Sequence, residues 1–361
     1  MCLSSHHNHY TLYCLQNPCT IHIENGEQAS LFQCVEATAN DGDAVKIRDI
    51  VIVSKAGWGN FTTINDAGAA PNNSDASGGY FFIYVTAAEY RDEYVTVPSN
   101  KKYLFFLGDG IERTIISGSR SVGDGWTTFN SATVVVEGEG FLAVGIAFHN
   151  RAGPSKGQAV ALRSGADLST FYKCSFQGYQ DTLYTHSFRQ FYRECDIYGT
   201  VDFIFGDAAV VFQNCNIYPR LPIKGQSDPI TAQGRSDPNQ NTGISIHNCT
   251  IKAAEDLGST KTYLGRPWRE YSRVVYMQSF MDKLIDPAGW SAWDGDFALS
   301  TLYYAEYSNT GPGSDITNRV DWEGYHVIDD ANEADEFTVA KFLMGDFWLR
   351  RTAVPYISGL L

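Results

Sequence analysis

Short runs of alternating hydrophobic and polar residues recur along the chain, with glycine and asparagine between them. Residues 132–136 and 273–277 are two further strand-like segments, with turn residues nearby. A period of two residues is typical of β-strands with one buried face, and Gly and Asn are typical of the turns between strands. Long stretches with the 3.6-residue period of an amphipathic helix are missing from the sequence. The pattern therefore predicts an all-β fold.

Four segments that each contain a cysteine resemble one another between residues 173 and 251. They are residues 173–176, 194–197, 214–217 and 248–251, and their cysteines follow one another after 21, 20 and 34 residues. We predict that each segment is a short strand. Self-similarity at this spacing is typical of a solenoid, and short β-rich repeats favour the coils of a parallel β-helix over helical repeats. An antiparallel sandwich is the alternative fold.

Residues one coil apart in a solenoid lie next to each other, at the strand spacing of roughly 4.8 Å. Cys195 and Cys215 are therefore predicted neighbours, and a disulfide between them is one interpretation of the repeat. A bridge between Cys215 and Cys249 is a competing interpretation. The spacing leaves a third one open, in which free buried thiols pack as small hydrophobic side chains.

Charge and hydrophobic content exclude some classes of protein. The chain has 361 residues, with 41 acidic side chains against 27 lysines and arginines, and its net charge is −14. Nucleic acid binding needs a basic surface, so we expect no nucleic acid partner. The sequence contains no run of about 18 apolar residues, so we expect no membrane span. A hydrophobic share of 43% is sufficient for a full core.

Residues 1–48 differ in composition from the rest of the chain. We interpret them as a leader of unclear structure, followed by one domain over residues 49–361. The leader lacks the basic and apolar stretches of a secretory signal. Its three histidines among the first nine residues have no carboxylate or cysteine at fixed spacing, so we expect no metal site there. Sequons at Asn60, Asn72 and Asn248 would accept glycans in a secreted protein.

Polar residues repeat at the same coil spacing as the cysteines. Gln158 precedes Gln180 by 22 residues, and Asp181 precedes Asp202 by 21. We therefore expect successive coils to bring two carboxylates and two amides into one patch. Repulsion between two nearby acids raises the pKa of one, while a cation keeps the other ionised. A protonated acid can then donate a proton, an ionised acid can attack, and amide N–H groups can stabilise an oxyanion.

The candidate cation is Arg266, two residues before Trp268. A guanidinium can hold a carboxylate through two parallel hydrogen bonds, and an indole offers a flat apolar face to a sugar. Taken alone, such residues are more often structural, since an arginine can fix a loop and a tryptophan can belong to the core. Asp202, however, is flanked by apolar residues, which is costly for an acid unless it is paired or used. Asp202 is therefore the strongest single indication of a functional site.

Four segments resemble the signature blocks of plant-type pectin methylesterases and occur in that family's order. These are residues 157–162, 178–184, 202–206 and 264–268. The resemblance extends from about residue 51 to residue 361, and four blocks in the same order are highly specific. It implies a right-handed, single-stranded parallel β-helix that hydrolyses the methyl esters of galacturonan in the plant cell wall, releasing methanol and pectate.

The resemblance also implies roles for individual residues. Asp202 would be the nucleophile that forms an acyl-enzyme, and Asp181 would be the general acid and then the general base. Gln158 and Gln180 would stabilise the oxyanion, with Gln158 also contacting the substrate. Arg266 would hold Asp202 ionised and in position. Trp268 and Thr128 would line the sugar groove together with Gln158 and Arg266.

The family further implies a secreted protein that uses no cofactor and no metal. Its substrate would be methyl-esterified homogalacturonan, a proteinaceous pectinesterase inhibitor is a candidate partner, and we expect a monomer.

Two other functions remain open from the residues alone. One is a different polysaccharide enzyme on the same scaffold. Lyases of this shape rely on calcium and a basic residue, and glycosidases need two carboxylates that flank the glycosidic bond. The two glutamines beside the acids favour an acyl oxyanion instead. The other is a solenoid that binds pectin without turning it over.

Overall fold

The computed structural model describes residues 10–11, 45–71 and 78–361. Short strands dominate these ranges. In chain order the first fourteen are β1 (Tyr10–Thr11), β2 (Lys46–Val53), β3 (Tyr80–Val85), β4 (Ala88–Arg91), β5 (Val95–Val97), β6 (Leu104–Gly108), β7 (Thr114–Gly118), β8 (Val134–Val136), β9 (Leu142–Val144), β10 (Ala147–Asn150), β11 (Leu162–Ser164), β12 (Ser169–Tyr172), β13 (Ser175–Gln177) and β14 (Leu183–Thr185). The others are β15 (Arg189–Arg193), β16 (Asp196–Gly199), β17 (Ile204–Gly206), β18 (Ala209–Gln213), β19 (Asn216–Pro219), β20 (Asp228–Gln233), β21 (Gly243–His247), β22 (Thr250–Ile251), β23 (Thr262–Gly265), β24 (Arg273–Met277), β25 (Phe280–Met281), β26 (Tyr303–Tyr307) and β27 (Tyr325–Val327).

Helices are few and short in the described ranges. The α-helices are α1 (Ile64–Ala69), α2 (Ala331–Asp335) and α3 (Val339–Phe342). Short 3₁₀ helices lie at Val122–Asp124, Pro154–Lys156, Pro312–Ser314, Gly345–Phe347 and Leu349–Thr352. Within the described residues, none of the helices has the length and apolar character needed to cross a membrane.

Successive coils contribute one strand to each of three sheets. In the described residues the first sheet has the order β1, β2, β3, β6, β9, β12, β15, β18, β21, β24, β26, β27. The second has the order β25, β22, β19, β16, β13, β10, β7, β4, and the third has the order β23, β20, β17, β14, β11, β8, β5. Neighbouring coils pair in parallel in all three sheets, whereas β1 pairs antiparallel to β2. This is the predicted parallel β-helix, and the alternative of an antiparallel sandwich is wrong.

A two-residue corner connects the first sheet to the second in each of the four cysteine repeats. Its first residue is Lys173, Glu194, Asn214 or Asn248, with φ of 49°, 53°, 61° and 53°. Asparagine tolerates this left-handed conformation better than most residues, which accounts for its use at two of the four corners. The cysteine follows, and the strand begins only after it. The prediction that each segment is a strand is therefore wrong in its first half, because the repeat marks the corner.

The four cysteines of these corners form a ladder inside the solenoid. Cys174, Cys195, Cys215 and Cys249 are free and buried. The N–H of Cys195 donates to Sγ of Cys215 at 3.4 Å, and the N–H of Cys215 donates to Sγ of Cys249 at 3.4 Å. The predicted disulfide between Cys195 and Cys215 is absent, as is its competitor with Cys249. Parallel strands hold stacked side chains about 4.8 Å apart, whereas a disulfide needs Cβ atoms roughly 3.8 Å apart.

Stacked aromatic rings fill the interior between the sheets. Phe171 stacks on Tyr192 with ring centroids 4.7 Å apart, and Tyr192 stacks on Phe212 at 4.6 Å. These side chains belong to one buried cluster that runs through the coils. Outside the solenoid, Phe342 of α3 and the nearby Trp348 pack with Tyr172, Phe191 and other apolar residues of the first sheet. The packing fixes the register of the coils, and the register in turn positions the site.

The predicted boundary between residues 48 and 49 falls inside β2, which starts at Lys46. Residues 1–9 and 12–44 lie outside the described residues, and so do the terminal histidines and the sequon at Asn72. Of the other two sequon residues, Asn60 is exposed and Asn248 is partly buried.

Candidate active site

A cleft of ≈ 490 Å³ lies on the outer face of the third sheet. Its floor includes Tyr184 and Phe205, while the preceding residues Leu183 and Ile204 point into the core, as the alternation of a strand requires. The cleft is lined by every residue that the sequence analysis assigned to a catalytic or substrate-contacting role, namely Thr128, Gln158, Gln180, Asp181, Asp202, Arg266 and Trp268. Residues more than a hundred positions apart are thus brought to one surface by the winding of the chain.

The two acids occupy equivalent positions in neighbouring coils. Asp181 lies two residues before β14, and Asp202 lies two residues before β17. Both have left-handed backbone conformations, with φ of 62° and 55°. The N–H of Asp181 donates to the carbonyl of Val201 at 3.1 Å, so the two turns are in direct contact. A left-handed non-glycine residue costs about 1 kcal/mol or more, and such strain is typical of functional sites.

Arg266 binds Asp202 with both arms of its guanidinium. Nε donates to Oδ1 at 2.8 Å and an Nη atom donates to Oδ2 at 2.6 Å. Arg266 follows β23, and its backbone N–H donates to the carbonyl of Thr231 at 2.9 Å. The Asp202 side chain retains only 7% of its accessible surface. Because this carboxyl group is largely shielded from water, the guanidinium acts on Asp202 with reduced screening.

Burial affects the two acids unequally. Burial, together with the charge of Asp202, raises the pKa of Asp181 well above its ordinary value. Burial also raises the pKa of Asp202, but the hydrogen bonds and charge of Arg266 oppose that rise. When the two share one negative charge, it therefore resides on Asp202 and the proton on Asp181.

Two amide side chains line the cleft together with these acids. Gln158 and Gln180 are partly buried, and in the described part of the protein neither side chain has a hydrogen-bond partner. Their backbones are fixed between coils, since the N–H of Ala159 donates to the carbonyl of Gln180 at 3.1 Å. Amide N–H groups held at a cleft without partners are suited to stabilise an anionic oxygen that forms during a reaction.

Aromatic rings line the floor of the cleft and the surface next to it. Tyr184 stacks on Phe205 with centroids 4.2 Å apart, and the Trp268 ring meets Phe205 edge-on at 6.0 Å. Trp268 also lies against Gly234, where an added Cβ would sit 2.7 Å from the indole, so only glycine fits. Trp293 stacks on the Arg266 guanidinium at 4.4 Å. Such rings suit the flat apolar faces of sugars.

Three of these aromatic residues were not predicted from the sequence as site residues. Tyr184 and Phe205 are register partners in β14 and β17, so the coil spacing that paired the acids would also have paired them. Trp293 comes from a turn-rich segment outside the repeat, and no spacing in the sequence indicates its position.

A third carboxyl lies close to the pair. Asp228, the first residue of β20, is fully buried, and neither of its oxygens has a hydrogen-bond partner in the described structure. The adjacent Pro229 carbonyl accepts the N–H of Asp202 at 2.7 Å. Burial, and then the charge of Asp202, raise the pKa of Asp228 well above its ordinary value. Asp228 does not line the cleft, and we expect it to be protonated in the folded protein.

We predict that Asp228→Asn stabilises the protein as pH rises. The carboxyl ionises near pH 4 in the unfolded chain but keeps its proton to higher pH in the fold, so the wild type loses stability above about pH 4. The amide cannot ionise and avoids this loss. Thermal unfolding should give a melting temperature several degrees above wild type at pH 7, with the difference vanishing near pH 4. The same difference in melting temperature at both pH values would contradict a protonated Asp228 in the folded protein.

Within the residues the structure describes, we find no group of three or more His, Cys, Asp or Glu side chains arranged to hold a metal ion.

Comparison with known proteins identifies relatives that cover most of the chain. A family model for pectinesterases matches residues 50–346. The chain is 65% identical over 327 residues to the probable pectinesterase/pectinesterase inhibitor 20 of Arabidopsis thaliana, covering 89% of this chain and 58% of that protein. It is 58% identical over 314 residues to pectinesterase 2 of Citrus sinensis, covering 86% of this chain and 60% of that protein. The chain thus spans less than two thirds of these curated relatives.

A solved structure agrees with the fold. The pectin methylesterase from carrot superposes with a TM-score of 0.84 at 53% identity, covering 86% of this chain and 98% of that one. The right-handed parallel β-helix predicted from the sequence is confirmed by this likeness.

Proposed function

The chain belongs to the pectinesterase family, and on that premise we propose that it hydrolyses the methyl esters of galacturonan to methanol and free carboxylates. One observation supports this activity above all: a carboxyl group held by a guanidinium shares the cleft with a second buried acid and with two amides that have no hydrogen-bond partner in the described structure. Burial and the charge of Asp202 raise the pKa of that second acid, Asp181, which favours its neutral form. Ester hydrolysis through a covalent intermediate needs this combination of nucleophile, proton donor and oxyanion donors.

In the first proposed step, Asp202 attacks the ester. A carboxylate oxygen of Asp202 bonds to the C6 carbonyl carbon, and the carbonyl oxygen becomes a tetrahedral oxyanion. The amide N–H groups of Gln158 and Gln180 donate to that oxygen. The intermediate collapses with cleavage of the bond to the methoxy oxygen, which takes the proton of Asp181 and leaves as methanol. The product is an acyl-enzyme anhydride on Asp202.

In the second step, water completes the reaction. Asp181, now a carboxylate, removes a proton from a water molecule, whose oxygen attacks the C6 carbonyl carbon of the anhydride. The bond to Asp202 breaks, which releases the C6 carboxylic acid and restores an ionised Asp202 beside a protonated Asp181. The released acid then loses its proton to bulk water and becomes galacturonate. Arg266 stabilises Asp202 whenever its carboxylate is free. Each turnover adds one negative charge to the polymer and consumes one water.

The residues that line the cleft support the proposed class of substrate. Trp268 and Thr128 line the cleft next to the acids, and with Gln158 and Arg266 they would contact the sugar units of methyl-esterified homogalacturonan. We further propose that residues 49–361 act as one catalytic domain, as a monomer secreted to the plant cell wall, with glycans at exposed sequons and a proteinaceous inhibitor as a partner. These attributes follow from family membership and not from the site.

Release of methanol by the purified chain tests the proposal directly. Methylated pectin should yield methanol and titratable carboxyl groups in equal amounts, without new reducing ends or unsaturated products, and a chelator should not change the rate. New reducing ends or unsaturated products would favour a glycosidase or a lyase. Binding of pectin without any product would favour a non-catalytic solenoid.

We predict that Gln180→Ala lowers kcat by about 10²- to 10³-fold, which is the effect of losing one oxyanion donor. KM should change little, since the amide acts mainly on charge that develops in the transition state. Initial rates of methanol release over a range of pectin concentrations separate the two constants. A twofold loss would instead indicate that Gln180 only packs.

A further inference from the structure

Arg220 contacts the turn that carries Gln180 and Asp181 from outside the cleft. It follows β19, which lies two places from β13 in the second sheet, and the residues after β13 form that turn. One Nη atom of Arg220 donates to the carbonyl of Gly178 at 3.1 Å, and the other donates to the hydroxyl of Tyr179 at 2.9 Å. The same guanidinium lies over the Tyr179 ring at 4.1 Å. Arg220 itself does not line the cleft.

The backbone of Arg220 is bonded to the neighbouring coil, which carries Asp202. The N–H of Arg220 donates to the carbonyl of Gly199 at 2.7 Å, and Gly199 is the last residue of β16. The two turns also bond to each other, since the N–H of Thr200 donates to the carbonyl of Tyr179 at 3.0 Å. Arg220 therefore connects three successive coils, including both coils that supply the acids.

The positions of Gln180 and Asp181 depend on the backbone of their turn. In the described part of the chain, neither the Gln180 amide nor the Asp181 carboxyl has a hydrogen-bond partner, whereas Arg266 holds Asp202 directly. Asp181 is also in the left-handed conformation, with φ of 62°, which persists only where the surroundings enforce it. Contacts that fix this turn thus fix the two side chains.

We propose that Arg220 is a positioning residue, which holds Gln180 and Asp181 in the place relative to Asp202 that the reaction needs. The inference rests on the proposed function, which assigns an oxyanion donor and a proton donor to this turn. An arginine suits the task because its planar guanidinium stacks on a ring and donates hydrogen bonds in its plane at the same time.

Arg220→Gln tests this role by removing the contacts to the turn. The kcat for methanol release should fall by about tenfold to hundredfold, the scale of a displacement near 1 Å at a reacting group. KM should stay within about twofold, because Arg220 lies outside the cleft. An unchanged kcat, or a loss that appears only in KM, would overturn the proposal.

Glu255→Gln is the matched control. It removes an exposed carboxylate whose Oε1 lies 3.9 Å from Nε of Arg220, but it leaves the contacts of Arg220 to the turn in place. Its kcat should stay within about twofold of wild type, as for other surface substitutions. An equal loss in both variants would assign the effect to this ion pair and contradict a clamp on the turn.

The pH profile separates positioning from charge. Burial is the main cause of the raised pKa of Asp181, and the charges that act on it are those of Asp202 and Arg266. A loosened turn admits water to Asp181, so the alkaline limb of the Arg220→Gln profile should move to lower pH. Loss of a cation that acted through its charge would move this limb to higher pH. An alkaline limb that stays in place or moves to higher pH would contradict the proposal.

Tyr179→Phe tests the same contact with a smaller change, which removes only the hydroxyl bonded to Arg220. Its kcat should fall by about threefold to tenfold, the net worth of one hydrogen bond. The double variant should be no slower than Arg220→Gln, because both substitutions break one interaction. Losses that multiply in the double variant would show that the two residues act separately.

Hydrogen exchange detects the clamp without any catalysis. The N–H groups of Gly178 and Asp181 are bonded to the next coil in the folded protein. In Arg220→Gln these two amides should exchange faster, while the buried strand β18 stays protected, which shows that the solenoid is intact. Equal exchange in variant and wild type would overturn the proposal. If wild type releases no methanol, the proposed function fails, and exchange still decides whether Arg220 holds the turn.

Discussion

Asp202→Asn is expected to abolish methanol release, with a fall in kcat of at least about 10⁴-fold, because the amide oxygen cannot act as a nucleophile in place of a carboxylate. The substitution keeps the size of the side chain and an oxygen that can accept from Arg266. We therefore expect the β-helix to remain intact by circular dichroism. The decisive measurement is single-turnover methanol release at an enzyme concentration high enough to detect a residual rate.

Asp228→Asn is the matched control for this result. It makes the same chemical change at a buried acid next to the same turn, yet Asp228 does not line the cleft. Its activity should stay within about twofold of wild type, well inside the range of substitutions without a catalytic role. If both variants lose activity equally, the loss reflects the electrostatics of the region, and Asp202 is not the nucleophile.

Asp181→Asn is expected to lower kcat by about 10²- to 10⁴-fold, the usual range for a general acid–base residue. The amide can neither protonate departing methanol nor activate the water that follows. Asp202 can still attack, so slow hydrolysis would let an acyl-enzyme accumulate. Mass spectrometry of the intact protein, quenched during turnover of a short methyl-esterified oligomer, would detect the added mass.

The pH profile gives a second test of Asp181. Asp181 donates a proton only while it is protonated, so wild-type activity falls as pH rises through its pKa, which burial and the Asp202 charge raise well above the ordinary value. Activity on the acidic side falls when Asp202 becomes protonated. Asparagine cannot ionise, so the residual rate of the variant should keep the acidic limb and lose the alkaline one. An alkaline limb that persists would assign it to another group.

The repeat made most of the fold and the cleft predictable from sequence. Once the cysteine spacing indicated coils, the equal spacing between Asp181 and Asp202 placed both acids on one surface without any knowledge of side-chain positions. The details of the corner were not predictable in the same way. A period of two residues does not distinguish a strand from a left-handed corner followed by a strand, and the disulfide depended on Cβ separations that spacing alone does not give.

Features outside the repeat could not be predicted from the sequence. Trp293 comes from a segment with no counterpart in other coils, so the sequence offers no partner from which to place it. Asp228 begins β20, but Pro229 follows it, and proline argues against an inner strand. The structure nevertheless places β20 between β17 and β23.

The ladder of free cysteines affects how the protein is inactivated by heat. Burial raises the pKa of the Cys195 and Cys249 thiols, so in the native state they are poor nucleophiles and resist oxidation. Unfolding exposes all four cysteine thiols at once. They then have ordinary reactivity and no fixed neighbours. Cross-links between the wrong partners would then prevent the coils from rewinding. We therefore expect inactivation by heat to be irreversible, with a rate that depends on oxidant as well as on temperature.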